Sequence, residues 1–188
     1  MGTKLGNTAR ADCKVRTLST VGHVKPGYVV TYPNRAKPSS RRTKLVVVAV
    51  LLVSTLLMLL ATFGAWSKLE GLIPVNIAWC LAYVVIARYV MHWARGLLPI
   101  AAALGALMLT FTLIAVTSLD RVTWNDRGHP GYAPAHSVFG GGGLGSGTMS
   151  LLTIAIAVSQ ALLIVIAMRG FGQAWNIELE TPAPAGSG

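Results

Sequence analysis

Residues 45–64 read LVVVAVLLVSTLLMLLATFG, a stretch without a single charged side chain, whose polar groups are only the hydroxyls of Ser54, Thr55 and Thr62. At 1.5 Å per residue, a helix of this length covers about 30 Å, the thickness of a bilayer's hydrocarbon core. Hydrocarbon offers no partner for a backbone amide, so a single apolar run of this kind must bond internally as a helix. Three further runs, at about 72–92, 97–118 and 149–169, repeat the pattern. Together they predict an all-α, polytopic membrane protein, a bundle of four transmembrane helices joined by short connections.

Composition agrees. The 188 residues are 53% hydrophobic and 12% charged, about half the charge of an ordinary soluble domain. What remains outside the spans is a basic tail at 1–44, expected to be largely flexible, an outer loop at 119–148 and a short tail at 170–188. None is long enough for a separate domain of usual size. The basic leader and the first run both exceed the dimensions of a cleaved signal peptide, so the run reads as a retained span.

The net charge of +10 would suggest nucleic acid in a soluble protein, but its distribution points to topology. Ten of the sixteen Lys and Arg precede residue 45, and Asp12 alone opposes them there. With the N-terminus inside, Arg88, Arg95 and Arg169 join that side, while Lys68, Arg121 and Arg127 lie outside. A bias of this sense predicts cytoplasmic N- and C-termini and no nucleic-acid partner. Arg35, Lys37, Arg41, Arg42 and Lys44 form a dense cluster before the first span, expected to lie on anionic lipid headgroups with about 1 kcal/mol per charge. Trp66 sits at the outer end of the first span, and Tyr89 and Trp93 at the inner end of the second, where aromatic belts occur. The arginine- and alanine-rich usage and the Pro/Ala/Gly tail after Glu180 fit the cytoplasmic membrane of a bacterium.

Within the spans no Asp or Glu occurs, which argues against an ion-coupled pump. Asn76, Cys80 and Tyr83 recur at helical spacing on one face of the second span. Gln160 lies near the middle of the fourth and needs a partner on another helix. These four predict interhelical hydrogen bonds or, alternatively, the lining of a polar cavity. Small-xxx-small pairs, Ala101/Gly105, Ala102/Ala106, Ala155/Ser159 and Ala157/Ala161, predict close helix approach.

In the outer loop, Trp124, Tyr132 and Phe139 are the docking anchors expected for a partner. Gly140–Gly143, Gly145 and Gly147 lack phosphate-loop spacing and read as a flexible connector. Asp126, His129 and His136 are weak metal candidates, since their spacing matches no recognised zinc pattern and Pro130 and Pro134 interrupt them. A short apolar alternation about Lys25-Pro26-Gly27, with Val21, Val24, Val29, Val30 and Tyr32, suggests a hairpin in the tail. No catalytic constellation, cofactor motif or CxxC pair appears; Cys13 and Cys80 are too far apart in type of segment to pair. The residues therefore point first to a non-catalytic accessory, assembly or interaction subunit with a membrane-protein partner or a second copy. A small-solute transporter or oligomeric pore stands second, and a membrane enzyme acting on a lipid-type substrate third.

Overall fold

The computed structural model describes residues 28–69, 72–117 and 136–182. It contains a helical bundle, Asn34–Asn176, and a small unit built from the flanking segments.

The bundle comprises α1 (Pro33–Ala36), α2 (Pro38–Gly64), α3 (Ile73–Met91), α4 (Leu97–Thr117) and α5 (Ser146–Gly172). Four of these helices, α2 to α5, are long and apolar enough to cross a membrane. α3 and α4 coincide with their apolar runs to within a residue or so. α2, by contrast, begins at Pro38 rather than at residue 45. Lys37 is extended, at φ −63° and ψ 133°, as a residue before proline prefers, and Pro38 then opens the first turn. Part of the basic tail is therefore helical, and Arg41, Arg42 and Lys44 lie in the first two turns of a 27-residue helix.

Hydrogen bonds fix the topology. Thr62 of α2 meets Asn76 of α3, whereas Lys44 of α2 reaches Met91 at the far end of α3. Thr43 near the start of α2 meets Gln173 just past the end of α5. Neighbours thus run antiparallel in an up-down-up-down bundle. α2 packs along both α3 and α5, α4 packs along α5, and α3 meets α4 only sparsely. The core is formed by side chains such as Val47, Leu51, Met58, Tyr83, Val90, Leu98 and Leu163. The outward faces are equally apolar, with Leu52, Leu56, Leu81, Leu107, Phe111, Leu151 and Val165 all exposed. A soluble bundle would place polar side chains on that surface.

The small unit contains a two-stranded antiparallel sheet, in which the arm suggested by the apolar alternation pairs with a distant segment. β1 (Tyr28–Thr31) pairs with β2 (Leu179–Pro182), with Val30 opposite Glu180. Thr31 Oγ1 donates to the Leu179 carbonyl, and the Tyr32 hydroxyl donates to Glu178. Val29 and Val30 therefore pair with the C-terminal segment. Val21 and Val24, the other arm of the expected hairpin, lie outside the described residues.

Candidate functional sites at the centre and ends of the bundle

At the centre, the face of α3 carrying Asn76, Cys80 and Tyr83 turns inward. The Tyr83 hydroxyl donates to Gln160 Oε1 at 2.6 Å, across the bundle between α3 and α5. Gln160 Nε2 donates to Ser159 Oγ at 3.4 Å. Ser159 Oγ also accepts from Ser54 Oγ at 3.0 Å and donates to the Ile156 carbonyl at 2.8 Å. This chain joins α2, α3 and α5 through four buried side chains. The Cys80 thiol points at the Thr55 carbonyl, at 3.9 Å. Asn76 Nδ2 donates to Thr62 Oγ1 at 3.3 Å, nearer the other end of α2. Asn76 and Gln160 thus share a helix-facing side but belong to separate hydrogen-bonded groups at different depths. Among the described residues, the Trp79 indole nitrogen is the buried side-chain polar atom without a hydrogen-bond partner.

The Tyr83–Gln160 pair is open to a direct test. Gln160→Leu leaves the Tyr83 hydroxyl buried without its acceptor, which costs about 1–3 kcal/mol. Adding Tyr83→Phe is expected to recover part of that loss. Thermal unfolding in mild detergent across the double-mutant cycle should give a coupling of about 0.6 kcal/mol or more. Strictly additive losses would dissolve the pair as an energetic unit.

At the end shared by the start of α2 and the last turn of α5, a second cluster closes the bundle. Trp175 is fully buried and meets Trp93 edge-on, with ring centroids 5.4 Å apart. Trp93 has φ 65° and Ala174 φ 50°, the left-handed positions that end helices and that side-chain-bearing residues occupy at a cost. The last carbonyls of a helix lack intrahelical donors, and here cations supply them at Met91 of α3 and Phe171 of α5, while further donors meet the carbonyls just beyond α5. Lys44 Nζ approaches the Met91 carbonyl at 3.4 Å and stands 4.0 Å from the centre of the Trp93 ring. Arg35 Nε donates to the Trp175 carbonyl at 3.2 Å, and its Nη2 donates to Asn176. Arg95 Nε donates to the Phe171 carbonyl at 2.8 Å while its guanidinium covers the Phe171 ring. Asn34 Nδ2 donates to the Ala174 carbonyl. Two of the five cations expected on lipid headgroups, Arg35 and Lys44, are therefore engaged in holding this end together. Lys37, Arg41 and Arg42 are exposed.

At the opposite end, the glycine segment forms a tight hairpin in place of a flexible connector. His136 bridges Gly142, Gly140 N–H donates to the Ser137 carbonyl at 3.1 Å, and Gly140 adopts φ 79°. That combination is a turn closed by a residue in the left-handed region, where glycine is favoured. The hairpin caps α2. Val138 N–H donates to the Phe63 carbonyl at 3.2 Å, and Leu144 N–H to the Gly64 carbonyl at 2.8 Å. His136 and Ser67 exchange two further bonds. Leu144 lies so close over Gly64 that a Cβ there would collide with it. Phe139, at the tip, is 93% exposed. Trp124 and Tyr132, the other two docking candidates, lie outside the described residues, as do Asp126 and His129 of the metal candidates. His136 is described, and its role is the backbone exchange with Ser67.

Sequence reasoning missed Trp175, Arg95, Ser54 and the linking role of Ser159. Trp175 carried a signal, since a tryptophan one turn beyond a span commonly has a built environment; Ser54 carried none. No protein-family model, curated protein or solved structure matches this chain.

Proposed function

We propose that this chain is a four-span protein of the bacterial cytoplasmic membrane, with both flanking segments in the cytoplasm. In this reading it serves as a non-catalytic accessory or assembly subunit of a larger membrane complex. The apolar outward faces support insertion. The gathering of Arg35, Lys37, Arg41, Arg42, Lys44, Arg88, Arg95 and Arg169 at one end of the bundle supports the orientation. The observation that carries the subunit reading is how the interior polar groups are used. Tyr83, Gln160, Ser159, Ser54, Asn76 and Thr62 bond to one another across helices. They serve to fix helix positions, whereas a transport path needs polar groups that meet a passing solute. The molecule's presented features lie at its ends, and chief among them is Phe139 on a hairpin held by backbone bonds.

A rigid tip displaying a bare phenyl ring suits a partner pocket, because little conformational freedom is lost on docking. Mass determination of the intact complex, after gentle extraction of the tagged protein at native expression, should reveal a stoichiometric unlike membrane protein. Phe139→Ser is expected to weaken its retention by about 2 kcal/mol, roughly thirtyfold, with the bundle's melting unchanged. A lone monomer or a homo-oligomer would refute the subunit reading and turn attention to solute flux in liposomes.

A further inference from the structure

The cations at the basic end divide into two populations that the sequence presents as one. Arg35, Lys44 and Arg95 are half-buried and bonded to carbonyls at or just beyond the helix ends, and each also lies over an aromatic ring. Lys37, Arg41, Arg42, Arg88 and Arg169 are exposed, and none has a side-chain hydrogen bond or ion pair among the described residues. They come from three helices, α2, α3 and α5. Arg88 and Arg169 lie in the last turns of α3 and α5, and Arg41 and Arg42 in the first turns of α2. At 1.5 Å per residue all lie within about 6 Å of the ends of their own helices, and these ends meet at one end of the bundle, where Lys44 reaches Met91 and Thr43 meets Gln173.

Among the described residues, no acidic side chain of the bundle neutralises these cations. No Asp or Glu occurs among the described residues of Asn34–Asn176. The placement on α2 even opposes the helix dipole, since its first turn holds no acidic residue and its N-terminal amides favour anions. The bundle's described residues thus supply no counter-charge of their own, and an anion brought by the surroundings fits these positions. We propose that Lys37, Arg41, Arg42, Arg88 and Arg169 bind the phosphates of anionic phospholipid headgroups as a collar around the bundle. The inner set, Arg35, Lys44 and Arg95, holds the end of the bundle together and contributes little to lipid choice. This rests on the membrane reading above, and it moves the lipid contact from one short segment to three helices.

The test places the full-length protein in vesicles of phosphatidylcholine containing a minor fraction of phosphatidylglycerol. After flotation, the lipids that remain bound are counted by native mass spectrometry. Retained phosphatidylglycerol is expected to exceed its bulk share by about fivefold, the factor for one favourable cation contact near a surface. The enrichment should collapse in high salt. It should also fall to the bulk share in a variant carrying Lys37→Gln, Arg41→Gln, Arg42→Gln, Arg88→Gln and Arg169→Gln. Arg35→Gln with Lys44→Gln should lower the melting temperature and leave the enrichment intact. The salt response of the wild type decides the matter if the fivefold variant does not fold. Wild-type retention at the bulk ratio, or enrichment that survives both salt and neutralisation, overturns the collar. So does displacement of the lipid by inorganic phosphate, which would make this a site for a free anion. Failure to float with any vesicle overturns the membrane reading together with it; flotation without enrichment overturns the collar alone.

Discussion

Trp175→Ala is expected to cost about 3–5 kcal/mol, the range for removing a large buried aromatic side chain, and to lower the melting temperature by on the order of 10 °C. The indole is fully buried and fills the space over Gly170, where a Cβ would already stand 3.4 Å from its Cζ2. It supports the edge of Trp93, and its nitrogen donates to Gln173 Oε1 at 3.0 Å. Gln173 in turn donates to Thr43, which ties the end of α5 to the start of α2. Alanine at 175 therefore removes more than volume. Trp93 loses the surface that holds it at an unfavourable backbone angle, and the Trp93 ring is what receives the Lys44 ammonium. Trypsin should then cut faster at Arg169 and Arg95, the flanking basic sites. Trp175→Phe retains the edge contact and should lose less than half as much. Melting of the alanine variant at the wild-type temperature would show that this cluster closes nothing.

The parts of this fold that were legible in the sequence are those imposed by a uniform medium. Residues 45–64 and 97–118 declare themselves because hydrocarbon tolerates no charge over a span's length. The inward face of α3 was readable from Asn76, Cys80 and Tyr83, because helical periodicity alone places them together. Their partners were not. Ser54 and Thr62 look like any hydroxyl in an apolar run, and only the antiparallel register of α2 against its neighbours selects them. The ends were least legible. Glycines 140–143 read as flexibility by composition, although one glycine in the left-handed region closes the turn and the flanking amides of Val138 and Leu144 bond the open carbonyls of α2. The division of the basic cluster depends on Trp93 and Trp175, which are remote in sequence from Arg35 and Lys44. β1 and β2 pair across nearly the whole chain; the alternation about Val29 and Val30 suggests an extended arm, but nothing local selects the distant C-terminal segment as its partner.

Gly105→Leu is expected to destabilise the bundle by about 3 kcal/mol or more, while Gly105→Ala should be nearly neutral. A Cβ at this position would meet Ile164 Cγ1 at 3.3 Å, Leu163 Cδ2 at 3.4 Å and Gln160 Oε1 at 3.6 Å, all on α5. Alanine thus fits with shifts of a few tenths of an ångström, and its strain is offset by about 1 kcal/mol of better helix propensity. Leucine has no such room. Its branch would push α4 from α5, at the 1–3 kcal/mol typical of overpacking. It would also displace Gln160, so that the Tyr83 hydroxyl loses its acceptor at a further cost of about 1–3 kcal/mol. In lipid no hydrophobic force draws the helices back together, so close approach and interhelical bonding must hold the bundle. The decisive measurement is the melting temperature of Gly105→Leu with and without Tyr83→Phe. If the Gln160 bond is part of what leucine breaks, removing the Tyr83 hydroxyl first should make leucine less costly. An undiminished cost would mean that leucine acts through helix separation alone and that the pair at the centre is a bystander to the close α4–α5 contact.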